Sequence, residues 1–264
     1  THIPPPLPPP SMSSSGSKPR SKGRKPRPKG GRKGNSSRDE QEHYVAPASG
    51  GGGGSGSRVD AKALVQQHVS VCLDTSETTS RRLAAVGKLQ KCVLDPRSYE
   101  TMYEMYDKLF RTLEQLLQDR ATKVRQQIAR VLGALGTLLG QECHRFLQWA
   151  FTGLLEPTAA ASAKALCLEA LDSYIELGDE MTLNMSLPGV VLNLRHFLDK
   201  IPTDQHELLR PTVDLLVQLA EFPHILHPHF SEIVDLLLGW TLDDSLPEEL
   251  KQYITGNLAE FQTL

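Results

Sequence analysis

The chain has 264 residues, of which 39% are apolar and 23% charged, and a formal net charge of −2. That much apolar material excludes a wholly disordered chain, and four cysteines are too few for a disulfide scaffold. The balance of charge conceals two opposite parts: residues 1–57 carry +7, and the remaining 207 carry −9. Such asymmetry describes a basic arm joined to an acidic body.

Residues 1–57 lack the apolar material to form a core. Pro4 to Pro10 is almost entirely proline and favours extended polyproline II, and Gly50 to Gly54 is an unbroken glycine linker. We expect the whole arm to be disordered. Lys22, Arg24, Lys25, Arg27, Lys29, Arg32 and Lys33 fall within twelve residues with no acid among them. This cluster suits phosphate contact by counterion release, or a nuclear-import signal. It has no interleaved aromatic residue to stack on bases. A solvated, solubilising tail is the plain alternative.

From Arg58 the composition turns to Leu, Ala, Val and Gln. Apolar spacing and helix breakers predict helices at about 60–74, 78–94, 98–118, 121–140, 142–155, 158–178, 187–200, 204–222, 229–243 and 246–262. No strand pattern stands out. Pro188 and Pro247 are read as first-turn prolines. Val124, Ile128, Val131, Leu132, Leu135, Leu138 and Leu139 form one stripe. Gly133 and Gly136 beside it each cost about 1 kcal/mol against Ala, which is tolerable where a neighbouring helix packs closely. This unit has the pattern of the second helix of a HEAT repeat. The fold class expected is all-α, an irregular HEAT-like solenoid over 58–264 following the disordered arm. The non-Met start and a helical pattern running uncapped to Leu264 suggest a segment of a longer chain, truncated at its C-terminus.

Chemistry-bearing patterns are sparse. Cys72, Cys92, Cys143 and Cys167 lie in apolar helical patterns and read as small core residues of an intracellular protein. His224, His227 and His229 have spacings suggestive of a zinc site, but two prolines interrupt them and they read as polar loop residues. Cys143 and His144 are adjacent on one helix and point apart, against a catalytic pair. No phosphate-binding loop or kinase signature can be placed, so no catalytic, cofactor or metal residues are assigned and the chain itself is not expected to be an enzyme. Trp149 and Trp240 read as core. Trp240 is expected to lie against the following helix near Leu250 or Ile254, with Gly239 permitting that helix to approach.

Three segments carry a resemblance. Arg81-Arg82-Leu83-Ala84-Ala85-Val86 with Leu89, Phe146-Leu147-Gln148-Trp149-Ala150-Phe151, and Pro223-His224-Ile225 through Val234-Asp235 to Gly239-Trp240 and Asp243 occur in order. Together they resemble the N-terminal helical repeats of the phosphatidylinositol-3-kinase-related kinases, in the branch acting in nonsense-mediated mRNA decay. The resemblance runs from about Ser80 to Leu264. It implies a serine/threonine kinase as parent, one that phosphorylates the up-frameshift RNA helicase. Its helical repeats would form an arch that carries the catalytic head and binds two accessory regulatory subunits. The implied role here is scaffold, with the rest of the parent kinase in cis and the accessory subunits as partners, in the cytoplasm and also the nucleus if the arm acts in import. The alternatives are a free-standing HEAT-like adaptor and a nucleic-acid-binding protein that contacts RNA through its basic arm.

Overall fold

In a computed structural model, the described residues are 55–138, 140 and 143–261. The basic cluster Lys22–Lys33, the proline tract and almost all of the expected disordered arm lie outside them. Side chains are described from residue 61 onward, Glu260 excepted.

Each apolar stripe becomes a helix that buries one face. The helices are α1 (Ser55–Leu73), α2 (Thr79–Leu94), α3 (Tyr99–Leu116), α4 (Thr122–Thr137), α5 (His144–Leu155), α6 (Ala161–Leu177), α7 (Glu180–Lys200), α8 (Leu209–Leu219), the single turn α9 (Pro223–Leu226), α10 (Phe230–Thr241) and α11 (Glu248–Phe261). The described residues contain no strand. Successive helices pair as α1/α2, α3/α4, α5/α6, α7/α8 and α10/α11. Second members stack in the order α2, α4, α6, α8, α11, and first members α5, α7 and α10 likewise touch in turn. The body is an all-α solenoid of two helical layers with one continuous core between them.

The most intimate contact joins α4 and α6. A Cβ added at Gly133 would strike the Ala170 carbonyl oxygen and lie 2.9 Å from Ser173 Cβ and 3.0 Å from Tyr174 N. One at Gly136 would lie 2.7 Å from the Phe146 ring of α5. The glycines are therefore where two neighbours press onto α4, and this close approach offsets their poor helix propensity. Ser173 Oγ adds a hydrogen bond to the Arg130 carbonyl at 3.0 Å. Val124, Ile128, Val131, Leu132 and Leu135 are all fully buried, whereas Leu138 is half-buried where the helix ends.

A charged pair is built into the interior. Arg82 of α2 meets Asp119, in the turn before α4, at 2.6 Å, and both side chains are at most 3% exposed. Asp119 also accepts from the Ala121 N–H through Oδ1 at 2.7 Å, while its carbonyl accepts from Arg125 Nη1 at 2.7 Å. One aspartate thus orders the start of α4 and ties it to α2. Nε and Nη2 of Arg82 are buried without a hydrogen-bond partner, so the pair carries a desolvation cost that one contact only partly offsets.

The structure corrects several boundaries. Helix α1 begins at Ser55, inside the arm as drawn from sequence. Helix α7 begins at Glu180, not 187, and Pro188 lies in its interior. The start is set by Asp179, whose carboxylate accepts from the Thr182 N–H at 3.0 Å and from its hydroxyl at 2.7 Å. These bonds, backbone first, hold the Asp179 carboxyl below its usual range. Leu183, Leu187, Val190, Val191 and Leu194 then keep one buried stripe running past Pro188. That proline sits on the exposed face, where water can serve the carbonyl left without an N–H partner. The predicted helix 204–222 resolves into a 3₁₀ segment, Thr203–Leu208, kinked at Gln205, followed by α8.

Trp240 is also corrected. It is half-buried and packs backward: its indole N–H donates to the Leu198 carbonyl of α7 at 3.2 Å. Gly239 is not where the next helix approaches, because a Cβ there would meet nothing within 4 Å. Val234 and Phe230 are half-buried, and the fully buried positions of α10 are Ile233 and Leu237.

Two stability predictions follow from these contacts. Alanine is the better helix former by about 1 kcal/mol, yet Gly133→Ala forces a methyl onto the α6 backbone, which does not yield. Urea unfolding should show a net loss of about 1–3 kcal/mol; a gain would mean that α6 moves freely. Asp119→Ala strands the Arg82 guanidinium and should cost about 3–5 kcal/mol, and adding Arg82→Met should recover part of that loss.

Candidate functional site

The residues assigned from sequence to a possible nucleic-acid or import contact all lie outside the described part. Within the body, chemistry-bearing side chains are arranged along the second layer. Gln127 Nε2 of α4 donates to Gln90 Oε1 of α2 at 2.7 Å. Arg130 of α4 pairs with Glu169 of α6. Gln218 Nε2 of α8 donates to Asp172 of α6 at 2.6 Å. The Tyr253 hydroxyl of α11 donates to Asp214 of α8, and the Arg210 guanidinium lies 4.6 Å from the Tyr253 ring centre. These contacts recur once per repeat and form polar rungs between successive helices.

Two neighbouring grooves open on this part of the body. One, of about 420 Å³, crosses α4, α6 and α8 and is lined by Arg125, Arg130, Ser162, Leu166, Glu169 and Asp214 among others. The second, of about 560 Å³, lies beside it and is lined by Trp149, Gly153 and Leu166 together with the charged Glu114, Arg125 and Glu156. Trp149 is half-buried, held edge-on to Phe110 with centroids 6.0 Å apart. It is thus both a core edge and a groove wall, where sequence alone suggested core.

Burial makes the cysteines poor nucleophiles. It pushes the Cys167 thiol up to about 12 and Cys72 to about 11, and raises Cys92 as well. At neutral pH such groups remain thiols. Cys143 is buried and its sulfur meets the Tyr174 hydroxyl, whereas the adjacent His144 is exposed. His224 and His227 are exposed, and His224 Nε2 contacts Asn184 Oδ1 of α7 at 3.2 Å. Among the described residues, no group of three His, Cys, Asp or Glu side chains could hold a metal ion. None of the described helices is long and apolar enough to cross a membrane.

What this arrangement provides is surface: two layers of helices with shallow mixed-charge grooves, a geometry suited to protein contact. The chain has a distant relative among known proteins. Over 187 residues, 69% of this chain, it is 27% identical to the serine/threonine-protein kinase SMG1 of Danio rerio. The chain spans only about 5% of that relative's length. The similarity indicates a distant relationship to a segment of that kinase. No family model matches the chain, and no solved structure matches it.

The thiols give a direct check on this description. A thiol-specific disulfide reagent should modify the half-buried Cys92 first in the native protein. Cys72, Cys143 and Cys167 should react only on the timescale of unfolding, and all four at once in denaturant. Rapid native labelling of Cys167 would contradict its burial.

Proposed function

We propose that this chain is a scaffold segment of a phosphatidylinositol-3-kinase-related serine/threonine kinase of nonsense-mediated mRNA decay. Its solenoid, HEAT-like in its paired helices, binds accessory subunits and supports the rest of the kinase in cis. The observation that carries this reading is the 27% identity with the zebrafish kinase over 187 residues, 69% of the chain. The all-helical paired architecture agrees with it, because stacked helix pairs suit holding partners rather than turning over a substrate. On this reading the segment has no catalytic residue or cofactor of its own and works in the cytoplasm, with the nucleus as a second compartment.

Expression of the tagged chain in cells that contain the decay machinery tests the proposal. The accessory subunits of the decay kinase should co-purify with it, and Gly133→Ala, which disturbs the α4–α6 contact, should lower their recovery. Absence of those subunits from a folded, abundant chain would overturn the reading. If the chain were instead retained on RNA with affinity falling steeply with salt, the basic arm would be the working part.

A further inference from the structure

A third groove, of about 510 Å³, opens where the ends of α6 and α8 meet the start of α7. Its size is that of a pocket for one organic group. Ile175 and Leu183, both buried, and the half-buried Phe222 supply its apolar lining. Its charged lining is Glu176, Glu180 and Glu221, all exposed. None of these three carboxylates makes a hydrogen bond or ion pair among the described residues. The other grooves of the body each set an arginine among their acids: Arg125 with Arg130 in one, Arg125 in the next, and Arg195 beside Glu232. This groove has carboxylates and no cation.

The backbone adds to the same sign. A helix C-terminus presents free carbonyls and a partial negative charge, and both α6 and α8 end at this groove. Of the last four carbonyls of α6, only that of Tyr174 receives a backbone N–H, from Gly178. Glu176 lies in the last turn of α6, and Glu221 follows α8 by two residues. A separate observation concerns Gln218, which lines the groove as well. Its Nε2 donates to the Asp172 carboxylate at 2.6 Å. A carboxylate only accepts, so this bond fixes the amide orientation. Oε1 is then left enclosed, accepting from no donor. The other enclosed polar atoms without a partner belong to Arg82, Tyr106 and Gln205, none of which lines a groove described here.

We propose that this groove binds the side chain of an arginine presented by another protein, within a segment that is apolar on either side of it. Charge selects a cation, and it rejects nucleic acid and anionic lipid. A metal ion is set aside because no group of three His, Cys, Asp or Glu among the described residues could hold one. Donor number then selects arginine over lysine. A guanidinium brings five N–H donors in one plane, enough for two carboxylates and the orphaned Gln218 oxygen, whereas an ammonium brings three. Its flat face also suits the Phe222 ring, and its carbon stem suits Leu183 and Ile175.

This inference does not rest on the scaffold proposal, and its test involves no decay factor. The full 264-residue chain, labelled with ¹⁵N, would be titrated in the NMR spectrometer with a blocked nonapeptide. The peptide carries arginine between two leucines, flanked by glycine and serine, and is compared with versions bearing lysine or the neutral isostere citrulline at the centre. The arginine peptide should shift the Gln218 side-chain amide and the Gly178 N–H. Citrulline should weaken binding at least ten-fold, and lysine at least three-fold. Glu176→Gln combined with Glu221→Gln should weaken the arginine peptide at least ten-fold. The melting temperature of that double variant should be unchanged or higher, because acids at helix C-termini are unfavourable to the fold. A fall would show that the fold itself uses these carboxylates, and would overturn the premise and the proposal with it. The proposal would also be refuted by peptide shifts absent from the groove, by citrulline or lysine binding as tightly as arginine, or by a double variant that binds like the parent. Self-association of the chain that the double variant abolished in sedimentation would assign the groove to a second copy instead, and would equally refute it.

Discussion

The solenoid depends on how closely α4 can lie to α6. Gly133 brings the backbone of one helix against the backbone of the other, with the Ala170 carbonyl where a side chain would begin. Gly136 gives the same space to Phe146, whose ring lies 5.1 Å from that of Tyr174 on α6. Three helices from two consecutive pairs therefore converge on a stretch of four residues. Hydrophobic burial alone is non-directional and would tolerate many spacings. Contact with backbone atoms tolerates few, so it sets the stagger that neighbouring pairs inherit.

Around that centre, directional contacts refine a packing that apolar area has already driven. The Arg82–Asp119 pair is buried and couples the turn before α4 to α2. The rungs of the second layer lie at the edge of the core, and the one ion pair among them, Arg130–Glu169, is solvent-facing and contributes less than about 1 kcal/mol. Their value lies in register: each fixes which turn of one helix faces which turn of the next.

Much of this was legible in the residues because helix-forming stripes are local. The α4 stripe, its two glycines and their need for a close neighbour could be read from Val124 to Leu135 without coordinates. Where the reading failed, a local rule met competing local chemistry. Proline is favoured in a first turn, so Pro188 points to a helix start, although Asp179 with Thr182 offers a better one nine residues earlier. Periodicity puts Trp240 against the following helix, but its N–H needs an acceptor, and it finds the Leu198 carbonyl near the end of α7. The polar rungs had no local signature at all, since their partners are 37 to 46 residues apart.

The division of labour between glycine contacts and polar rungs has a mechanical consequence. A stack joined by backbone contact at α4–α6, and at α8–α11 by buried apolar side chains such as Ile254 with a solvent-facing Asp214–Tyr253 bond, is not uniformly stiff. Bending at the glycine contact forces atoms into one another, whereas bending at Asp214–Tyr253 only rotates side chains that water can re-solvate. Under load such a body behaves as a rod with a rigid middle and a compliant hinge toward α11, so a strain applied at that end would be absorbed there before it reached the centre.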